Sequence, residues 1–129
     1  MKVAVIGAGS WGTTVAAMLA PRTETVLWCR RPELADQVRN GMNSDYLPGF
    51  ELPPDLRATS AIEAAVVGAD VVVMGVPSHG YRTVLEQAVP HVATGTPILS
   101  LTKGIEQPTL MRMTEVTASV LPDHDRTHI

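Results

Sequence analysis

The sequence is poor in cysteine and in positive charge, and it has no long hydrophobic run. Its 1 cysteine excludes an internal disulfide, which is typical of a reducing compartment. It has 10 Lys and Arg against 13 Asp and Glu, and a net charge of −3 argues against a nucleic-acid-binding or membrane-surface protein. No apolar run approaches the roughly 20 residues of a membrane span. We therefore expect a cytoplasmic protein. Because its net charge is negative, any anion that it binds must be held by individual groups at the site rather than by the overall charge.

The chain does have enough apolar material for a folded domain. It contains 129 residues, of which 45% are hydrophobic, so we expect one globular domain over residues 1–129. A signal peptide is not expected, because Lys2 leads directly into a short apolar run.

The first residues carry the strongest local pattern. Residues 2–6 predict a buried strand, and Gly7, Gly9 and Gly12 follow in the spacing G-x-G-x-x-G. The first glycine allows a sharp turn, the second lets a pyrophosphate approach the backbone, and the third lets a helix pack close to the strand. A helix that begins near Ser10 would direct its free N–H groups at the phosphates. The motif therefore predicts a dinucleotide site; the alternative is a glycine turn that binds nothing.

Apolar runs and helical periodicity alternate along the rest of the chain. This alternation predicts an α/β fold with a doubly wound, mostly parallel sheet of the Rossmann type. The further predicted strands are residues 25–29, 56–59, 69–76 and 96–101. The further predicted helices begin at Pro32, Ala61, Ser78 and Pro108.

Two serines are predicted to cap helices, and one connection is unusually long. Ser60 with Glu63 has the spacing of a capping box, and Ser78 is a second candidate cap. Residues 43–54 are long for a connection in such a fold and are typical of a lid or a disordered segment. Tyr46 and Phe50, with Leu47 between them, favour a docked loop.

Polar loops follow the predicted strands at one end. In parallel sheets, ligands bind beyond the carboxyl ends of the strands, so these loops should converge on one crevice. The loops are residues 7–12, 29–31, 77–80 and 102–104.

The end of the second strand bears on the choice of cofactor. An acidic residue there would bind the ribose 2′-hydroxyl of NAD. This chain has Arg30 and Arg31 instead, with Glu33 displaced into the next helix. Two guanidinium groups suit a 2′-phosphate, so the sequence favours NADPH, with NADH as the alternative. A solvated basic pair is the other interpretation.

A lysine and three histidines complete the polar candidates. Lys103 follows a buried strand and is placed to hold the nicotinamide half or to polarise a carbonyl oxygen; the alternative is a surface lysine. His79 lies at the ligand end, although a surface histidine is the simpler interpretation. His124 and His128 have no third ligand nearby, so we predict no metal site. Cys29 is expected to pack as a small apolar residue.

The segments GAGSWG, LWCRR, NSDYLPG, VPSH and LTKGIE occur in this order. With them, the chain strongly resembles the cofactor-binding half of bacterial glycerol-3-phosphate dehydrogenase, from Met1 to about Leu121. GAGSWG is shared with other dehydrogenases, whereas YLPG followed by VPSH and TKGIE is more specific. The resemblance implies reduction of dihydroxyacetone phosphate to sn-glycerol 3-phosphate, usually with NADPH, at the start of phospholipid synthesis.

The resemblance also implies roles for individual residues. Ser10 and Trp11 would contact the cofactor beside the glycines, and Arg30 and Arg31 would hold its adenosine end. Tyr46 is a weaker cofactor candidate on the long loop. Lys103 would contact both the nicotinamide side and the substrate.

The resemblance further implies a second, helical domain that carries the principal catalytic lysine and most substrate phosphate contacts. We expect this chain to stop as a sixth strand begins near His128, so that it binds cofactor without turnover. The alternatives are a two-domain dehydrogenase of the 6-phosphogluconate or ketopantoate type and a non-catalytic nucleotide-binding module. The oligomeric state stays open, with a homodimer as one alternative.

Overall fold

In the computed structural model, which describes residues 1–129, five short strands form one parallel sheet. Each strand is rich in β-branched or other apolar residues, which suit a sheet buried on both faces. The strands are β1 (Lys2–Ile6), β2 (Glu24–Trp28), β3 (Arg57–Thr59), β4 (Val71–Met74) and β5 (Ile98–Ser100). Their order is β3-β2-β1-β4-β5, and β1 pairs in parallel with β2 from Lys2 opposite Glu24 to Ile6 opposite Trp28.

Helices cover both faces of this sheet. They are α1 (Ser10–Leu19), α2 (Pro32–Arg39), α3 (Ile62–Val66), α4 (Tyr81–Ala88) and α5 (Met113–Val120). Alternate residues of β1 point to opposite faces: Ala4 and Ile6 pack in the core formed with α3, α4 and α5, whereas Val3 and Val5 pack in the core formed with α1 and α2. The predicted doubly wound α/β fold is therefore confirmed.

The segment predicted to start the last helix instead forms a small antiparallel hairpin. Its strands are β6 (Ile105–Glu106) and β7 (Met111–Arg112), and Leu110 adopts a positive φ of 58° in the turn. The predicted helix start at Pro108 is wrong; α5 begins at Met113, where the Arg112 N–H donates to Glu115 at 2.8 Å. The first-turn preference of proline was outweighed by pairing within the hairpin.

Both predicted serine caps are also wrong. Ala61 occupies the cap position of α3, and its N–H donates to the Thr59 hydroxyl at 3.1 Å. The Ser60 carbonyl instead accepts a 3.0 Å hydrogen bond from the indole of Trp28. Ser78 opens a 3₁₀ turn, Ser78–Gly80, that precedes α4. Near α3, a local hydrogen bond to the Thr59 hydroxyl thus stands where the Ser60 cap was expected.

The last residues turn rather than extend. Arg126–His128 form a 3₁₀ turn in which the Thr127 N–H donates to Asp125 at 2.9 Å, so the predicted strand start near His128 is wrong. The chain has no helix of the length and apolarity needed to cross a membrane.

Candidate functional site

A crevice of about 550 Å³ lies beyond the carboxyl ends of the parallel strands. The predicted loops converge there, because parallel strands bring their ends to one edge of the sheet. Of the candidate residues, Gly7, Gly9, Ser10, Trp11, Arg30, Arg31, Tyr46 and Lys103 line it. Gly12 is not among the lining residues and is buried in the first turn of α1.

The three motif glycines have different surroundings. Gly7 has a φ of 114°, and a Cβ there would lie 2.8 Å from the Gly75 carbonyl oxygen. A Cβ on Gly12 would lie only 1.9 Å from the Gly7 carbonyl oxygen. A Cβ on Gly9 would meet nothing within 4 Å. Gly7 and Gly12 therefore serve the turn and the packing of α1, whereas Gly9 leaves open space at the start of that helix.

The long loop over residues 43–54 is docked, mainly through a polar anchor. Asn43 is 1% exposed, and its side-chain amide donates to the Ala8 carbonyl at 3.0 Å and to the Thr13 hydroxyl oxygen at 2.8 Å. The Ser10 hydroxyl donates to the Tyr46 carbonyl at 2.6 Å. The loop is thus fastened to the glycine turn and to α1.

The prediction of a docked loop was right, although part of its reasoning was wrong. Phe50 is 66% exposed and Tyr46 is 44% exposed, so these aromatic side chains do not anchor the loop. Leu47 does pack against the apolar core on the α1 side of the sheet. Sequence analysis missed Asn43, whose only local signal is a polar residue before a turn.

The two arginines after β2 are in different electrostatic situations. Arg31 donates through Nη2 to Asp45 on the docked loop, and this hydrogen bond raises the pKa of the guanidinium further. Arg30 is exposed at the crevice and forms no ion pair. One guanidinium is therefore free to meet an anion, and the other is shared with a carboxylate.

The opposite side of the crevice comes from the ends of β4 and β5. The Thr102 hydroxyl donates to the Val76 carbonyl at 2.6 Å, which ties the two ends together. Lys103 and His79 are both exposed, and both line the crevice. His79, in the 3₁₀ turn before α4, is thus both a surface histidine and a residue at the ligand end of the sheet.

An ion pair holds the hairpin that follows Lys103. Arg82 of α4 donates to the Glu106 carboxylate through Nε at 2.7 Å and through Nη2 at 2.9 Å. Thr109 also donates to Glu106, and together these hydrogen bonds lower the pKa of Glu106 to about 2. The carboxylate therefore stays ionised near neutral pH, and the bidentate pair fixes the hairpin to α4.

Three further candidates do not line the crevice: Cys29, His124 and His128. Cys29 is fully buried, and burial raises the pKa of its thiol to about 11, which confirms that it packs as a small apolar residue. The Nε2 atom of His124 lies 2.8 Å from the Thr96 carbonyl oxygen, and its ring lies edge-on to His128. No group of three or more His, Cys, Asp or Glu side chains is placed to hold a metal ion.

Known proteins are similar in sequence to this chain along nearly its whole length. A glycerol-3-phosphate dehydrogenase [NAD(P)+] of Sphingopyxis alaskensis is 49% identical over 125 residues, which is 96% of this chain and 38% of that protein. A second, from Anaeromyxobacter, is 48% identical over 124 residues, covering 95% of this chain and 37% of that protein. The chain thus spans little more than a third of the length of these relatives.

Solved structures give the same result at the level of the fold. A crystal structure of glycerol-3-phosphate dehydrogenase from Coxiella burnetii superposes with a TM-score of 0.85 at 31% identity, covering 93% of this chain and 37% of that one. A ketopantoate reductase from Ralstonia eutropha gives 0.74 at 28% identity, covering 92% of this chain and 38% of that one. The similarity is therefore greater to the former class than to the latter.

The chain also matches the sequence model of one protein family. That family is described as the N-terminus of NAD-dependent glycerol-3-phosphate dehydrogenase, and its model matches residues 2–129. The glycine turn, the parallel sheet and the crevice all lie within the matched residues. This chain belongs to the NAD-dependent glycerol-3-phosphate dehydrogenase family and corresponds to its N-terminal domain.

Proposed function

We propose that this chain is the cofactor-binding part of an sn-glycerol-3-phosphate dehydrogenase. In this proposal the enzyme interconverts dihydroxyacetone phosphate and sn-glycerol 3-phosphate with NADPH or NADH, for glycerophospholipid synthesis. The observation that carries the proposal is the open space over Gly9 at the N-terminus of α1, within a crevice of about 550 Å³. Membership of the family supports the reaction class.

The crevice offers separate groups for separate parts of a dinucleotide. The free N–H groups at the start of α1, beside Gly9 and Ser10, suit the pyrophosphate. Arg30 suits a 2′-phosphate at the end of β2. β2 and β5 lie on opposite sides of β1 in the sheet. A dinucleotide whose adenosine end lies at β2 would therefore extend its nicotinamide end toward Lys103, which follows β5.

Lys103 is the residue of this chain that we assign to the reacting end. When bound, the reduced nicotinamide ring supplies the hydride for the carbonyl carbon. The ammonium group of Lys103, at the rim of the crevice, would contact the substrate oxygen and stabilise the negative charge that develops on it. We assign no principal proton donor in this chain. Assembly into a homodimer stays a prediction.

We expect replacement of both arginines by alanine to weaken NADPH much more than NADH. A lost charge-assisted hydrogen bond costs about 1.5–3 kcal/mol, which corresponds to roughly tenfold or more in affinity. Arg30→Ala alone should carry most of this loss, because Arg31 is already shared with Asp45. Titrations that follow Trp11 and Trp28 fluorescence would measure it, since both residues line the crevice. Equal weakening of both cofactors would mean that the pair acts only as a general positive field.

A hybrid enzyme tests the proposed reaction itself. Residues 1–129 would replace the matching segment of the Sphingopyxis alaskensis relative, and we expect NADPH oxidation that depends on dihydroxyacetone phosphate. Lys103→Ala in the hybrid should lower kcat by about a hundredfold, the scale of one lost electrostatic contact to a developing oxyanion. Arg22→Ala, an exposed substitution outside the crevice, is the matched control. A folded hybrid that binds NADPH without turnover would favour a non-catalytic nucleotide-binding module.

A further inference from the structure

Asp45 places a carboxylate against one of the two arginines that follow β2. Its Oδ2 atom accepts a hydrogen bond from Nη2 of Arg31, although 14 residues separate them in the sequence. The Asp45 side chain is 40% exposed and that of Arg31 is 45% exposed. Arg31 lines the crevice, and Asp45, which is not among the lining residues, is in contact with it. A ligand that contacts Arg31 would therefore lie close to Asp45 as well.

The loop that carries Asp45 is held independently of this ion pair. Asn43 is buried and donates to the Ala8 carbonyl and to Thr13. On the other side of Asp45, the Tyr46 carbonyl accepts from Ser10 at 2.6 Å. With an anchor on each side, the position of the Asp45 backbone does not depend on Arg31. The ion pair is thus not needed to dock the loop, which leaves the Asp45 carboxylate available for a role toward a ligand.

The chemistry of the two cofactors supplies such a role. A 2′-phosphate carries negative charge, so it would compete with the Asp45 carboxylate for Arg31 and be repelled by it. A ribose 2′-hydroxyl is neutral and can donate a hydrogen bond to a carboxylate. In dinucleotide-binding folds of this type, an acidic group near the ribose favours NAD and an arginine favours NADP. Here both groups stand side by side.

We propose that Asp45 is a specificity-determining residue that shifts cofactor preference toward NADH by occupying Arg31 and by accepting from the ribose 2′-hydroxyl. This inference rests on the proposed dinucleotide site. Arg30, which forms no ion pair, acts in the opposite direction and favours NADPH. The acidic group that the end of β2 lacks is thereby supplied from the docked loop.

The test is Asp45→Asn, titrated with NADPH and with NADH and compared with the unmodified chain. We expect NADPH to bind more tightly and NADH more weakly, so that the ratio of the two dissociation constants changes by about tenfold or more, the scale of one charge-assisted hydrogen bond. In an Arg31→Ala background no guanidinium is freed, so the gain in NADPH affinity should shrink to the part that comes from lost repulsion. Asp45→Glu, which keeps the charge, should stay close to the original ratio.

The matched control is Asp36→Asn. Asp36 forms an exposed ion pair with Arg39 on α2, and neither partner lines the crevice, whereas Arg31, the partner of Asp45, does. Asp36→Asn makes the same change in net charge as Asp45→Asn. It should leave the ratio unchanged. An unchanged ratio in Asp45→Asn, or parallel weakening of both cofactors, would overturn the inference while the dinucleotide site stands. Failure of the unmodified chain to bind either cofactor would overturn the proposed function, and this inference with it.

Discussion

Gly9→Val is expected to abolish NADPH binding and to leave the melting temperature almost unchanged. The backbone of Gly9 has φ −70° and ψ 179°, an extended conformation that a β-branched residue adopts readily. A Cβ at this position meets nothing within 4 Å, so the folded chain has room for the side chain. That same room is where a pyrophosphate would approach the start of α1.

Two measurements separate binding from folding in this variant. Fluorescence titration of Trp11 and Trp28 reports cofactor binding, and a thermal melt reports stability. Gly9→Ala is the graded control, because its single methyl group should weaken binding less than the valine side chain. If Gly9→Val binds NADPH as the unmodified chain does, the phosphate site lies elsewhere on the molecule.

Gly12→Ala should have the opposite effect and destabilise the fold itself. The added Cβ would lie 1.9 Å from the Gly7 carbonyl oxygen, a backbone atom that cannot rotate away. Relief requires α1 to move away from the turn, and Gly12, Thr13 and Ala16 are buried in that helix. Overpacking of this kind costs about 1–3 kcal/mol or more, and the backbone clash puts Gly12→Ala at the upper end of that range.

Urea unfolding followed by circular dichroism would measure the loss. Gly9→Ala is again the matched control, since it is the same substitution three positions earlier with open space around it. If Gly12 were unobstructed within α1, its replacement by alanine would instead stabilise the fold by roughly 0.5–1 kcal/mol, so the sign of the change in Gly12→Ala is diagnostic. A Gly12→Ala variant as stable as the original would show that α1 does not pack against the glycine turn as described.

The glycine turn, the parallel sheet and the basic pair after β2 were all predictable from the sequence. The reason is that each depends on neighbours a few residues apart: a β-branched run, a glycine spacing, or a basic pair directly after a strand. The convergence of the loops was also predictable, because parallel strands place their carboxyl ends at one edge whatever the details of packing.

Two of the mispredicted segments make contacts with distant partners. Pro108 and Ser60 have strong local preferences for helix starts, but other contacts decided the outcome. Glu106 is held by Arg82, 24 residues away, and the Ser60 carbonyl is taken by Trp28, 32 residues away. A local preference contributes about 1 kcal/mol, which such tertiary contacts readily outweigh.

By itself, then, the sequence determined the fold class, the glycine turn and the edge of the sheet at which a ligand would bind. Only the tertiary structure decided how the long loop docks and what Arg31 faces. Asn43 reaches Ala8 across 35 residues, and this contact sets Asp45 against Arg31. Hydrogen bonds between segments so far apart leave no periodicity in the sequence, because they depend on where the sheet and α1 place the backbone.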